Sequence, residues 1–304
     1  MWVSPKGVFQ TPITPMTSDF QLDSATFEKL VDWHIRTGAV GLVWPYHKGE
    51  SLNLTIEERK RFAETAIRVA AGRVPVVIHV SALAPADTLD LARHAQKIGA
   101  TAIISITPYF WKPTAEAIIH HFVRLGTSIE IPFLAYNSPG YLDGVELNAD
   151  ITRTLIERLP NFVGCKEASF DSEKFIEITR VALSMRPTFA MMTGVEYLLP
   201  SVPLGGSGSY SSAGAICPGM VNALYAACAN RDYERARALQ YSVSRIWLMF
   251  RDQYPSSLKG GMAIMGRAVG PTRGPLPTAS PERLAYLRSQ LEDIAVFESE
   301  PTGW

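Results

Sequence analysis

Eight short apolar runs, rich in β-branched residues, recur along the chain: "GVFQTPIT" (7–14), "VGLVW" (40–44), "VPVVIHV" (74–80), "TAIISIT" (101–107), "IPFLAYN" (131–137), "FVGCKEA" (162–168), "TFAMMTG" (188–194) and "GSGSYSSA" (207–214). Between them lie stretches with helical spacing, such as "DSATFEKLVDWHIRTG" (23–38) and "TIEERKRFAETAIRVAAG" (55–72). A parallel strand pair needs a crossover long enough for a helix, so this alternation specifies a parallel sheet. Eight units of it point to a closed (β/α)8 barrel, an α/β TIM-barrel fold, rather than an open sheet. Thr55 followed by Glu58 reads as a capping box, and Gly38, Gly72 and Gly99 fall where helices should end. A doubly wound nucleotide-binding sheet is the competing architecture, but no G-x-G-x-x-G follows the first run.

After residue 215 the strand pattern stops, and 222–252, 256–270 and 280–294 read as helices. The expected division is a barrel carrying the active site over 1–230 and a C-terminal helical region over 231–304. Twenty-nine basic and 29 acidic residues balance. Without a block of like charge, nucleic acid and membrane surfaces are poor partners and a small molecule is the better one. Three scattered cysteines, no C-x-x-C pair, no basic-then-apolar leader and no apolar run of membrane length fit a cytoplasmic protein.

In such a barrel the reacting groups come from the C-terminal ends of strands. That rule selects Thr11 and Thr14, the turn "WPYHKGES" (44–51), Tyr109 and Phe110, Tyr136, Lys166, Gly194 and Glu196, and Ser209 to Ser212. Lys166 ends an apolar strand, where loss of water disfavours its charged form and makes the amine a nucleophile able to form a Schiff base with a carbonyl. The alternative is a strand-end lysine that reaches water or pairs with Glu167. Tyr136 ends the preceding strand and could pass protons to a carbinolamine, or simply cover the barrel mouth.

"GCKEAS" around Lys166, "YNSPG" from Tyr136, "GES" closing the 44–51 turn, "ITPYF" (106–110) and "VPLGGSGSYSS" (202–212) resemble, in order and spacing, the dihydrodipicolinate synthase/N-acetylneuraminate lyase family. "TPIT" (11–14), "LKGGMAIMG" and "PTRGPL" (271–276) extend the likeness over nearly the whole chain. The resemblance implies a pyruvate-type class I lyase. Lys166 would form the imine with pyruvate or another 2-oxo acid, and Tyr136 would be the acid/base. The turn at Gly49 would hold the carboxylate by backbone N–H groups, and Gly208 and Tyr210 would line the pocket. It also implies no metal or organic cofactor, and a homotetramer or homodimer. The close pair His120-His121 is expected on the solvated face of a helix rather than as metal ligands.

Several positions depart from the family pattern. "GTTGES" is replaced by Tyr46-His47-Lys48-Gly49-Glu50-Ser51, so His47 stands at the threonine of the proton relay and Lys48 beside it. His47 brings an imidazole that can titrate near neutrality; Lys48 could bind an anionic group or lower the pKa of Lys166. Phe110 replaces the tyrosine that a partner subunit contributes, and Tyr141 replaces the arginine that binds the aldehyde's carboxylate. His79 either joins the mouth or packs. Trp44, Tyr46, Tyr109, Phe110, Trp111 and Tyr141 are expected to make the rim aromatic, which suits an aryl or alkyl aldehyde. Aldol cleavage or condensation therefore ranks above dehydration of a 2-keto-3-deoxy sugar acid, and both above dihydrodipicolinate synthase itself. A barrel that has lost catalysis and binds a 2-oxo acid or amino acid is the reading from another class.

Overall fold

All eight apolar runs become strands: β1 Gly7–Gln10, β2 Gly41–Trp44, β3 Val76–His79, β4 Ala102–Ile106, β5 Phe133–Asn137, β6 Phe162–Glu167, β7 Ala190–Thr193 and β8 Gly208–Ser211. They pair in sequence order and β8 returns to β1, closing a barrel of parallel strands. The structure is a computed structural model and describes residues 5–141 and 145–304. Around the barrel run α1 Ser24–Arg36, α2 Ile56–Ala70, α3 Pro85–Lys97, α4 Ala115–Gly126, α5 Ala149–Arg158, α6 Ser172–Met185, the single turn α7 Leu198–Ser201, and α8 Pro218–Ala229. The extension adds α9 Tyr233–Arg251, α10 Ser256–Ile264, α11 Pro281–Asp293 and the short α12 Val296–Ser299. No helix among the described residues is long and apolar enough to cross a membrane.

The local signals explain the boundaries. Asp23, Thr114, Asn148, Asp171, Asp232 and Ser280 each accept a hydrogen bond from the first turn of the helix they precede. Thr55 and Glu58 form the reciprocal capping box of α2. The Gly/Ser-rich composition of β8 has its own cause. It pairs with β1 through Gly7 and Gly208, and a Cβ on Gly208 would sit 1.8 Å from the carbonyl oxygen of Gly7. The seam closes this tightly because Gly208 carries no side chain.

One irregularity decides the active site. Phe133 and Phe162 pair across β5 and β6 and stack at 4.9 Å, with Phe133 also stacked on Phe122 of α4, so both face the helices. Strict alternation would then place Lys166 opposite Asn137, on the helix side. Instead the register shifts by one residue after Phe133, so that Leu134 pairs with Gly164 and Tyr136 with Lys166. This bulge turns the two side chains to one face, and Asn137 and Glu167 to the other.

The extension is fastened to the barrel's mouth. On α9, Gln240 donates to the carbonyl of Glu196 at 2.6 Å and accepts from the Leu199 N–H at 3.1 Å. From α10, Lys259 Nζ meets Glu50 Oε1 at 2.6 Å, with the two side chains only 4% and 0% exposed. Glu50 Oε2 accepts from the Arg273 N–H, and Lys259 also donates to the carbonyl of Pro271. Glu50 itself has φ 54°, a left-handed conformation that ends the turn at His47–Gly49. Breaking this buried pair from one side strands a charge. Lys259→Met is therefore expected to lower the unfolding free energy by about 3–5 kcal/mol, read by urea denaturation. Adding Glu50→Gln to it should recover part of the loss; a single-variant loss within error would mean that water reaches the pair.

Candidate active site

β6 delivers Lys166 to the barrel interior, where it is 5% exposed. Its Nζ lies 3.9 Å from the ring centroid of Tyr136, 4.1 Å from that of Tyr46 and 6.0 Å from that of Tyr210. Ring faces attract a cation but hydrate it poorly. Burial and the nearby charge of Lys48 hold the Lys166 pKa well below its ordinary 10.5, with Glu196 opposing. An amine that gives up its proton more readily is the better nucleophile toward a carbonyl. Glu167, the alternative ion-pair partner, points to the other face, where it accepts hydrogen bonds from Asn137 and from the Ser169 N–H.

The Tyr136 hydroxyl lies 3.3 Å from Nδ1 of His47, which the short helical turn His47–Gly49 brings over the barrel from β2. Desolvation, with a further contribution from Lys166, lowers the His47 pKa to about 4. The sequence expectation of a group titrating near neutrality is thereby corrected: the ring is neutral over the working range because the turn is packed rather than solvated. A neutral imidazole can still accept a proton from the phenol and return it. The Tyr46 and Tyr210 hydroxyls are buried with no protein partner among the described residues, and both rings line the pocket. They are available to the oxygens of a ligand.

The pocket at this end of the barrel holds about 40 Å³, room for a molecule of a few heavy atoms. Thr11, Tyr46, His47, Lys48, Tyr136, Lys166 and Tyr210 line it, together with Phe170, Val195, Ser212, Trp247 and Tyr254. Lys48 is buried and donates to the carbonyl of Ser211 at 2.6 Å. Glu196 Oε1 accepts from Ser211 Oγ at 2.6 Å, from the Ala213 N–H at 2.7 Å and from the Ser212 N–H. Among the described residues no cluster of His, Cys, Asp or Glu could hold a metal ion.

Such a caged amine beside a phenol is the arrangement the motifs anticipated, and the chain matches the model of the Dihydrodipicolinate synthetase family over residues 4–294. The chain belongs to this family. It is 30% identical over 296 residues to the 4-hydroxy-tetrahydrodipicolinate synthase of Thermoanaerobacter sp. (strain X514), covering 96% of this chain and 98% of that one. The enzyme of the same name from Chlorobium phaeobacteroides is 32% identical over 288 residues, covering 94% and 96%. Among solved structures, a prophage protein of the dihydrodipicolinic acid synthase family from E. coli K12, in complex with pyruvate, superposes with a TM-score of 0.91 at 27% identity, covering 96% of this chain and 99% of that one. Membership of the dihydrodipicolinate synthetase family makes the chain a lyase of the class I aldolase type.

Within that family frame the positions sort as follows. Lys166, Tyr136, His47, Lys48 and Tyr210 meet at one pocket. Gly49 is buried next to it, its carbonyl held by Thr14 Oγ1 at 2.6 Å. Gly208 lies behind the lining, level with Lys166 through their common partner Met192 and given over to the barrel seam. Phe110, at the position that a partner subunit contributes in the family pattern, is 78% exposed, sits edge-on to the 75% exposed Trp111, and lies outside the pocket of its own chain, the loop after β4 turning outward with Phe110 at φ 74°. The side chain of Tyr141 lies outside the described residues.

The expected rim also changes. Trp44 is fully buried, wedged between Phe27 of α1 and Phe62 of α2 at 5.4 and 5.7 Å, because it ends β2 on the outward-facing side. His79 packs flat on Tyr46 at 5.1 Å and stays neutral through burial. His120 is exposed, but His121, a helical step of about 100° away, is half-buried against Phe122 with its pKa lowered to about 4. The solvated-face reading therefore holds for one of the two. Sequence reasoning missed Phe170, Trp247 and Tyr254 as parts of the mouth. For Trp247, nothing in the amphipathic pattern of α9 marks one buried aromatic as different from the others.

Proposed function

We propose that this chain is a Schiff-base-forming lyase that acts on pyruvate or another small 2-oxo acid and joins it to, or releases it from, an aldehyde. The observation that carries the reading is the pairing of Lys166 with Tyr136 across β5 and β6, the amine caged by rings with its pKa pushed down by burial, the phenol in contact with His47. The neutral Lys166 amine attacks the keto carbon, and the carbinolamine loses water to give a protonated imine. That imine accepts the electron pair of the carbon–carbon bond being broken or, in reverse, of the C3–H bond, and Tyr136 exchanges the protons with His47 as its partner. No organic cofactor or metal is needed for these steps.

The pocket suits a 2-oxo acid of pyruvate's size, and Phe170, Val195 and Trp247 give its lining an apolar part. Both favour an aldehyde with an aryl or alkyl body over a semialdehyde that carries a second carboxylate. The Tyr46 and Tyr210 hydroxyls, buried and unpartnered among the described residues and both in the pocket lining, support the binding of the 2-oxo acid's oxygens. The names of the relatives support a second reading, 4-hydroxy-tetrahydrodipicolinate synthase. Against it stand Phe110 and Tyr141 at the positions of the synthases' tyrosine and arginine. The exposed Phe110–Trp111 pair is consistent with a homodimer or homotetramer in which a neighbouring chain covers it.

Borohydride reduction in the presence of pyruvate, read by intact mass, tests the chemistry: a stable adduct of one pyruvate per chain is expected. A panel of 2-oxo acids that leaves the mass unchanged would overturn the lyase reading in favour of a binding barrel. Coupled to aldehydes, the enzyme is expected to turn over aryl and alkyl aldehydes; reaction with aspartate semialdehyde alone would instead establish the synthase.

A further inference from the structure

The pocket contains a second amine for which the Schiff-base chemistry has no obvious use. Lys48 is 1% exposed, lines the same pocket as Lys166, and stands where the family pattern has an uncharged threonine. Its only hydrogen bond among the described residues is to the Ser211 carbonyl, which Thr11 Oγ1 already satisfies at 2.8 Å. A buried lysine is not needed to hold that carbonyl.

Two amines facing one small cavity cannot both hold a proton without strong repulsion. Their surroundings decide which does. Lys166 sits among ring faces, with neutral His47 and His79 on its β2 and β3 sides and Glu196 acting from β7. Lys48 has Glu196 as its opposite charge and His34 of α1 behind it, the latter kept neutral by burial and by Lys48 itself. Glu196 Oε1 accepts from Ser211 Oγ and from the Ser212 and Ala213 N–H groups, while Oε2 is buried with no hydrogen-bond partner among the described residues.

We infer that Lys48 is the resident cation of the pocket: it holds the one proton that the two amines can share, keeps Lys166 a neutral nucleophile, and faces the carboxylate of the incoming 2-oxo acid. This rests on the Schiff-base reading and assigns a charge and a substrate contact to a residue that only this variant of the turn supplies. Lys48 acts on Lys166 as a positioning residue, through its field. The Lys48 pKa lies at about 7, so the cation is present below neutrality and fades above it.

The test uses the full-length chain and three variants. Lys48→Thr restores the family's residue, Lys48→Met removes the charge at similar length, and Lys48→Arg keeps a charge that does not titrate. Competitive acetylation by acetic anhydride, read at Lys166 by mass spectrometry against pH, reports the neutral fraction without any substrate. In the Thr and Met variants the Lys166 midpoint is expected to rise by about one unit, a tenfold loss of reactive amine below it, while Arg leaves it low. KM for pyruvate is expected to rise about tenfold in Thr and Met. In the wild type it should climb as pH passes about 7, and in Arg it should stay flat there. Superimposable Lys166 labelling curves in wild type and Lys48→Thr would overturn the inference, whatever pyruvate does. If the wild type forms no pyruvate adduct while the labelling curves shift as expected, the Schiff-base reading fails and the electrostatic role stands.

Discussion

Lys166→Met is expected to abolish the pyruvate adduct and to lower turnover by about 10⁴-fold or more, since the variant lacks the nucleophile on which every later step depends. It should do so without weakening the fold. A buried lysine whose pKa is depressed binds fewer protons in the native state than in the unfolded one, so its contribution to stability is complete above its unfolded value and is lost as pH falls toward the folded value. For Lys166 that window opens near pH 10.5 and extends well below it. Methionine has no proton to lose. The variant should therefore unfold at the same temperature as the wild type, or higher, at pH 7, with the advantage shrinking as pH rises toward 10. Scanning calorimetry at pH 7 and pH 10 checks this. A variant that is inactive and markedly less stable at pH 7 would show that Lys166 is a structural residue and that its loss says nothing about chemistry.

That opposition between activity and stability is also why Lys166 was legible in the sequence. A charged residue at the end of an apolar strand breaks the local pattern, and sequences break such patterns where function requires it. The barrel was legible for the opposite reason: eight runs, their helices and their caps all agreed, down to the Thr55–Glu58 box. What the sequence did not carry was direction. Trp44 reads as part of a crowded turn, yet alternation along β2 sends it to the helices. Lys166 faces inward only because a bulge interrupts β6, and no residue type announces that shift. Nothing in the local sequence marks Lys48 as buried, because its burial depends on Ser211 and Glu196, more than 140 residues away. Trp247 and Tyr254 reach the mouth from the extension through contacts equally remote in sequence.

Tyr136 and His47 give the second large effect. Tyr136→Phe keeps the ring that cages Lys166 and removes a hydroxyl in contact with His47, so imine formation should survive while proton transfer suffers. A drop in kcat of about 10²–10⁴ is the usual cost of losing a positioned acid/base. His47→Ala removes the phenol's partner rather than the phenol, and is expected to cost about tenfold, the scale of one hydrogen bond to a group that becomes charged. If His47 acts only through Tyr136, the two losses cannot add: the double variant should be no slower than Tyr136→Phe alone. Additive losses would mean that His47 touches the substrate independently. The pH profile separates the roles further. With the His47 pKa at about 4, the imidazole is neutral above that value, so kcat should hold from neutrality downward and fall only as pH approaches 4. The acid limb should then be absent from His47→Ala. Were the limb to lie near 6.5, His47 would be solvated in the working enzyme, and the dry contact with Tyr136 could not be the path of the proton.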